Sequence, residues 1–287
     1  MTTDKKSGSS YAEYLARIVS TRRMLAGLGF KIQGRVEKYE TLMRKLSDAM
    51  PDRIEEQYTE SEASDVILMF AEIAEFLFVV DTLPKSPHLL KHPRFKEIFS
   101  GGLLPVAESK TTPRDTLFEL TVAALFERAG LHSDILAVAD VETVFLSTPI
   151  CTECKRLQSF GALETRIGEA HHQLVPRIAA RGKAAIGLIA LSVTKALTEG
   201  TKKLITQDEA QMHEAMHNLV QSSQDNLALY WERYVGFDGV LLNICVAGQM
   251  TGPFVNTQYA LLARPGLSDE RAVLLGRFLE TLRTVCL

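Results

Sequence analysis

Ile150-Cys151-Thr152-Glu153-Cys154-Lys155-Arg156 is the stretch whose reading decides the fold. It is rich in β-formers and short, so the composition predicts a strand. Side chains on a strand alternate between faces. Cys151, Glu153 and Lys155 therefore share one face, while Thr152 and Cys154 take the other. Ahead of it lies a second apolar run over 141–146, and Ser147-Thr148-Pro149 reads as the turn of a tight hairpin between the two. That hairpin brings Asp140, at the start of the first run, back alongside Glu153 and Lys155.

The pattern extends outward on both sides. Thr112-Pro113 is a helix start, with a capping hydroxyl, proline in the first turn and Asp115 at the positive end of the dipole. The helix runs to about Ala129, with Gly130 as its stop, and it carries Glu119. A first short strand is predicted over 135–138. After the Glu-x-Lys strand, a helix over roughly 160–175 leads to a buried strand from Ala184 to Val193. A long helix over about 207–234, strands at 240–247 and 254–263, and a final helix beginning at Ser268 complete the chain. Leu274, Leu275, Phe278, Leu279 and Leu282 mark the buried face of that last helix. The expected class is mixed α/β (α+β): a central mixed sheet with an α-β-β-β-α-β core, flanked by helices.

The first ninety residues predict helices only. Ser10 to Glu13 and Thr59 to Glu62 are capping-box patterns, and Val36, Tyr39, Leu42, Met43 and Leu46 mark one helix that stops near Pro51. The richest apolar stretch, Val66 to Val80, is interrupted by Glu72 and Glu75 and is too short to span a bilayer. It reads as a buried helix. Leu83 to Pro93 reads as a connector. The expected organisation is a helical region over 1–95 and a sheet domain over 112–287, with its core at 112–193. Met1 to Ser10 has no apolar h-region. The four cysteines, with no export signal beside them, imply reduced thiols and a cytoplasmic location.

The overall charge of −3 excludes a generally basic nucleic-acid binder, but its distribution is uneven. Between Cys151 and Lys203 there are nine Lys/Arg against four Glu, a balance of +5 that leaves −8 for the rest. A basic strip next to Glu153-x-Lys155 suits a phosphate backbone, although a solvated helix face reads the same way.

Two carboxylates, a backbone carbonyl and water make an oxygen donor set suited to Mg²⁺ or Mn²⁺. A cation held there polarises a phosphoryl oxygen and lowers the pKa of water. Lys155 is then placed to orient that water or to stabilise charge on the transition state.

The arrangement resembles the PD-(D/E)XK (restriction-endonuclease-like) nuclease superfamily over roughly Thr112 to Val193. The resemblance rests on Leu117 to Phe126 around Glu119, on Ala139 to Glu142 around Asp140, and on Ile150 to Arg156. It implies that Asp140 and Glu153 are metal ligands, that Lys155 is the catalytic lysine, and that Glu119 serves a second metal or a bridging water. It implies Mg²⁺ or Mn²⁺ as cofactor, nucleic acid (DNA in the first place) as substrate, and products with a 5′-phosphate and a 3′-hydroxyl. Gln158, by the same resemblance, meets DNA backbone or water from the following helix, and Arg156 and Arg166 of the basic strip are the further expected contacts. Two features depart from the family pattern. Ala139 stands where the motif has proline, and Glu142 shares the face of Asp140 and could replace it as ligand.

Competing signals remain. The nuclease fold could persist as a catalytically silent module that binds nucleic acid or protein. His213-Glu214-Ala215-Met216-His217 matches the H-E-x-x-H zinc peptidase pattern, with Glu232 as the only nearby third ligand. Yet the two histidines lie on the polar stripe of an amphipathic pattern. Cys151 and Cys154 have C-x-x-C spacing, but strand alternation separates their sulfurs. His171-His172 reads as a basic or core helix face first and a DNA contact second. No glycine-rich phosphate loop is present at Gly101-Gly102, and no Gly-x-Ser-x-Gly elbow occurs. The N-terminal helices could dimerise, bind a protein partner or shape a substrate channel.

Overall fold

The computed structural model describes residues 10–48, 59–101, 112–136, 139–182, 184–196, 230–249 and 253–285, with six further helical residues between 214 and 227. Three helices come first: α1 (Tyr11–Gly27), α2 (Arg35–Asp48) and α3 (Glu60–Thr82). Both capping boxes form: Ser10 with Glu13, and Thr59 with Glu62. Two 3₁₀ turns, Pro87–Lys91 and Phe95–Phe99, make up the connector. Then follow α4 (Thr112–Arg128), β1 (Ser133–Asp134), β2 (Val141–Phe145), β3 (Thr148–Arg156), α5 (Leu163–Arg181), β4 (Ile186–Ser192), β5 (Gly239–Gln249), β6 (Pro253–Ala263) and α6 (Asp269–Arg283). Gly130, at φ +76°, ends α4 as the sequence predicts. Among the described residues, no helix is long and apolar enough to cross a membrane.

The six strands form one mixed sheet in the order β1-β2-β3-β4-β5-β6. The two hairpins, β2–β3 and β5–β6, are antiparallel, whereas β3, β4 and β5 run parallel. Helix α5 makes the crossover from β3 to β4. Gly187 permits the close approach of α5, because a Cβ there would collide with Ile178.

Several boundaries differ from the sequence expectation. The first strand sits at Ser133–Asp134 rather than over 135–138. The hairpin turn falls on Leu146-Ser147, both with positive φ (47° and 67°), which is the backbone of a two-residue turn matched to the sheet's twist. Thr148 and Pro149 therefore belong to β3 and not to the turn. Residues 230–234 form a turn and bend where the long helix was expected to end, and most of that predicted helix lies outside the described residues.

The N-terminal helices and the sheet share a continuous core. One buried cluster runs from Tyr11 and Ile18 through Phe76 and Leu120 to Ile150, Leu241 and Phe278. A second, on the opposite sheet face, joins Cys151, Ile167, Leu174, Ile189 and Leu242 under α5. Cys154 belongs to the first cluster and Cys151 to the second, so the two thiols do face opposite ways. Phe278 meets Phe126 and Phe145 edge-on, each at 5.5 Å. Phe278→Ala is expected to cost about 3–5 kcal/mol, through lost transfer energy and the cavity left behind, read as a lower denaturant midpoint.

The two glutamates that interrupt the apolar stretch are buried in α3 and matched by cations. Glu72 pairs with Arg114 and accepts from Tyr39 Oη at 3.0 Å, with Arg35 at 3.8 Å. Glu75 accepts from Arg156 Nη1 at 2.9 Å. A buried charge is tolerable only when so paired. These pairs tie α3 to α2, α4 and β3.

Candidate functional site

Asp140 precedes β2, and the hairpin returns it to β3, where its Oδ2 accepts from the backbone N–H of Cys154 at 2.9 Å. Glu153 and Lys155 follow on the α5 face, as strand alternation requires. Glu153 is fully buried. Its Oε1 pairs with Nη1 of Arg177 from α5, and that same nitrogen lies 3.8 Å from Asp140 Oδ1. Lys155 Nζ stands 4.0 Å from Glu153 Oε2, beyond hydrogen-bond range, and instead donates to Gln173 Oε1 at 2.7 Å. Glu153 Oε2 is thus a buried carboxylate oxygen without a hydrogen-bond donor among the described residues.

Sequence reasoning missed Gln173 and Arg177. They lie four apart on α5, hence on one face of that helix, and a crossover helix after β3 must lay a face on Glu153 and Lys155. That spacing was the available signal.

Glu119 is bound from the other side. Its Oε2 lies 3.1 Å from His92 Nε2, and both its oxygens accept from Arg94 Nη2, at 2.5 and 2.7 Å. Burial would raise the Glu119 carboxyl, but the His92 hydrogen bond and the Arg94 charge outweigh it and hold it below its ordinary value. Asp140 shifts the opposite way. Burial pushes it up, the Glu119 charge adds to that, and the Cys154 N–H opposes both. The two carboxylates therefore feel one another, although Glu119 is claimed by His92 and Arg94. Because the folded-state pKa of Glu119 is depressed, its stabilisation is complete above the ordinary glutamate range and is lost as pH falls through the lower folded value. Glu119→Gln is expected to cost about 1–3 kcal/mol at neutral pH. The wild type and the variant should converge on acidification in urea unfolding series.

The remaining predicted residues are placed as follows. Glu142 faces α5 one register step away, opposite Cys151, and is paired with Arg181 at 2.8 Å. Asp140, not Glu142, is the acid beside Glu153 and Lys155. Arg156, expected to meet nucleic acid, points to the opposite face and is held by Glu75 inside the protein. Gln158 lies in the bend after β3, not on the helix, and accepts from Lys195. Arg166 is on α5, paired with Glu169 at 2.8 Å. Much of the basic strip therefore meets protein partners. His171 Nε2 contacts Val235 O, and the ring packs near Tyr234 and Phe237. Of the H-E-x-x-H pattern, Glu214 and His217 are helical and exposed, while His213 lies outside the described residues.

Two carboxylates with hard oxygens, of which Glu153 Oε2 has no hydrogen-bond donor among the described residues, fit the donor chemistry of Mg²⁺ or Mn²⁺. Arg177 now supplies the positive charge between them. Among the described residues, three His, Cys, Asp or Glu donors within 4.8 Å of one another occur only at His88, Glu127 and His132, so the oxygens of Glu119, Asp140 and Glu153 do not all lie that close together. No family model matches the chain, and no curated protein or solved structure matches it significantly.

Proposed function

We propose that this chain is a metal-dependent nuclease acting on nucleic acid, with DNA as the first candidate, through Asp140, Glu153 and Lys155. The observation that carries the reading is the hairpin geometry. Asp140 is fixed to the Cys154 N–H, beside a buried Glu153 whose Oε2 has no donor among the described residues and a Lys155 that shares its face. A divalent ion held by Asp140 and Glu153 would supply positive charge to the phosphoryl oxygens and acidify water.

The chain's own residues do the rest. Lys155, steadied by Gln173, orients the attacking water or neutralises charge gathering on the phosphoryl group. Arg177, which pairs with Glu153 and lies near Asp140, carries a planar fork suited to a phosphate and would be free to offer it if a cation neutralised those carboxylates. Glu119, fixed by His92 and Arg94, acts on Asp140 through its charge. Attack in line on phosphorus leaves a 5′-phosphate and a 3′-hydroxyl in the resembled family.

A second reading has its own observation. The Arg177 guanidinium lies against both carboxylates, which is also how a silent module would neutralise an abandoned metal site. Labelled single- and double-stranded DNA and RNA, incubated with Mg²⁺, Mn²⁺ or EDTA, separate the two. Cleavage that EDTA abolishes supports the nuclease. Binding that weakens steeply with salt, without cleavage of any substrate, supports the module.

A further inference from the structure

The connector after α3 runs beside α4, with His92 meeting Glu119 and His88 meeting Glu127. At the second of these points a third side chain arrives. His132, just after α4, brings its Nδ1 to 3.3 Å from Glu127 Oε1, while His88 Nε2 lies 3.1 Å from the same oxygen. The two imidazoles pack with their centroids 4.5 Å apart. All three donor atoms fall within 4.8 Å of one another.

Ordinary hydrogen bonding accounts poorly for this convergence. Glu127 Oε1 already accepts from the Ser133 backbone N–H at 2.5 Å and from Ser133 Oγ at 2.9 Å. A carboxylate oxygen offers two lone pairs in its plane, so an ion bound here would take the place of the rotatable Ser133 Oγ–H and leave the backbone N–H bond intact. Two further ring nitrogens nevertheless lie within 3.3 Å of it, and His88 Nε2 is also 3.1 Å from the Ser133 carbonyl oxygen. Tetrahedral zinc, with bonds near 2.0–2.1 Å, spaces its ligand atoms roughly 3.3–3.4 Å apart. The 3.1 and 3.3 Å separations at Glu127 are close to that edge length.

Glu127 is braced as metal-binding carboxylates usually are, since Ser86 Oγ donates to its other oxygen at 2.7 Å. His132 is largely exposed, at 76% for its side chain, so solvent reaches the fourth position. Two imidazoles and one carboxylate select a borderline first-row ion over Mg²⁺ or Ca²⁺.

We propose that His88, Glu127 and His132 bind a zinc ion, with water as the fourth ligand. The ion clips the connector to the end of α4 and the first strand. This site is separate from Asp140 and Glu153, and it stands or falls independently of the nuclease reading.

The test uses tag-free full-length protein stripped with a chelator, in which His213→Ala and His217→Ala remove the histidines of the H-E-x-x-H pattern. Zinc is titrated calorimetrically, Co²⁺ is followed by the visible bands of its tetrahedral complexes, and melting is recorded with and without metal. The expected result is one equivalent of zinc at this site and a melting temperature that zinc raises in the parent but not in the His132→Ala protein. Adding His132→Ala should weaken zinc at least tenfold and abolish the tetrahedral Co²⁺ spectrum. Because His132 is exposed, that variant should fold normally in the absence of metal, as circular dichroism would report. His88→Ala provides a second reading from the connector side. Failure of the parent to bind zinc would overturn the proposal, and so would equal zinc affinity in the parent, His132→Ala and His88→Ala proteins.

Discussion

Glu153→Gln is expected to lower metal-dependent cleavage by about 100-fold or more, a loss on the order of 3 kcal/mol or more of transition-state stabilisation. The substitution preserves volume but replaces a charged oxygen donor with an amide, in a position that is fully buried and faces Arg177 and Lys155. Two effects then act together. The hard-cation site loses half of its carboxylate charge, and Arg177 keeps only Asp140, at 3.8 Å, as an acidic partner. The loss should show first as a weaker metal requirement curve: half-maximal activity should need more Mn²⁺, and calorimetric Mn²⁺ binding should weaken in parallel. Lys155→Ala should behave differently. It leaves both carboxylates in place, so metal binding should persist while turnover falls at saturating metal. If Glu153→Gln and the wild type respond identically to Mn²⁺, the ligand role of Glu153 is wrong.

The second large effect concerns stability. Arg156→Met is expected to destabilise the fold by about 3–5 kcal/mol, the usual cost of leaving one partner of a buried ion pair alone. Arg156 donates to Glu75 Oε2 at 2.9 Å and to the Arg114 backbone oxygen at 3.3 Å, and it joins β3 to α3 and α4. Burial already pushes the Glu75 carboxyl up, against the Arg156 charge that lowers it. Removing Arg156 raises it further. A carboxyl with a raised folded pKa penalises the folded state at pH values above its unfolded pKa and stops doing so once it is protonated. The cost of Arg156→Met should therefore be greatest at neutral pH and shrink on acidification. Replacing both Glu75 and Arg156 by apolar residues of similar size should restore most of the loss. Chemical denaturation of the single and double variants at two pH values reads all of this. A cost below about 1 kcal/mol for Arg156→Met would show that the pair is dispensable.

How much was legible in the sequence depended on the kind of signal. Strand alternation placed Glu153 and Lys155 on one face and separated Cys151 from Cys154, because a two-residue period leaves no freedom once the strand is recognised. Capping boxes at Ser10 and Thr59, and the stop at Gly130, were legible because a terminus is specified by a few local side chains. The turn at Leu146-Ser147 was not. Neither residue is a usual carrier of positive φ, and Pro149 drew the reading toward itself although it sits near the start of β3, one residue before the pairing with β4 begins at Ile150. The partners of Arg156, Arg177 and Arg181 were not legible for another reason. A count of charges contains no information about which carboxylates lie across a packing interface, and Glu75, Glu142 and Glu153 claim Arg156, Arg181 and Arg177. The His88, Glu127 and His132 group draws on the connector and on both sides of the α4 stop, and no short motif links positions so far apart in the chain.

The most direct test of the central claim is cleavage of one labelled DNA substrate, at saturating Mg²⁺ and in EDTA, by the wild type, Glu153→Gln and Lys155→Ala side by side. The account predicts cleavage by the wild type with Mg²⁺ alone, leaving a 5′-phosphate, and a loss of about 100-fold or more in each variant. Cleavage that survives in both variants, or that continues in EDTA, would contradict it.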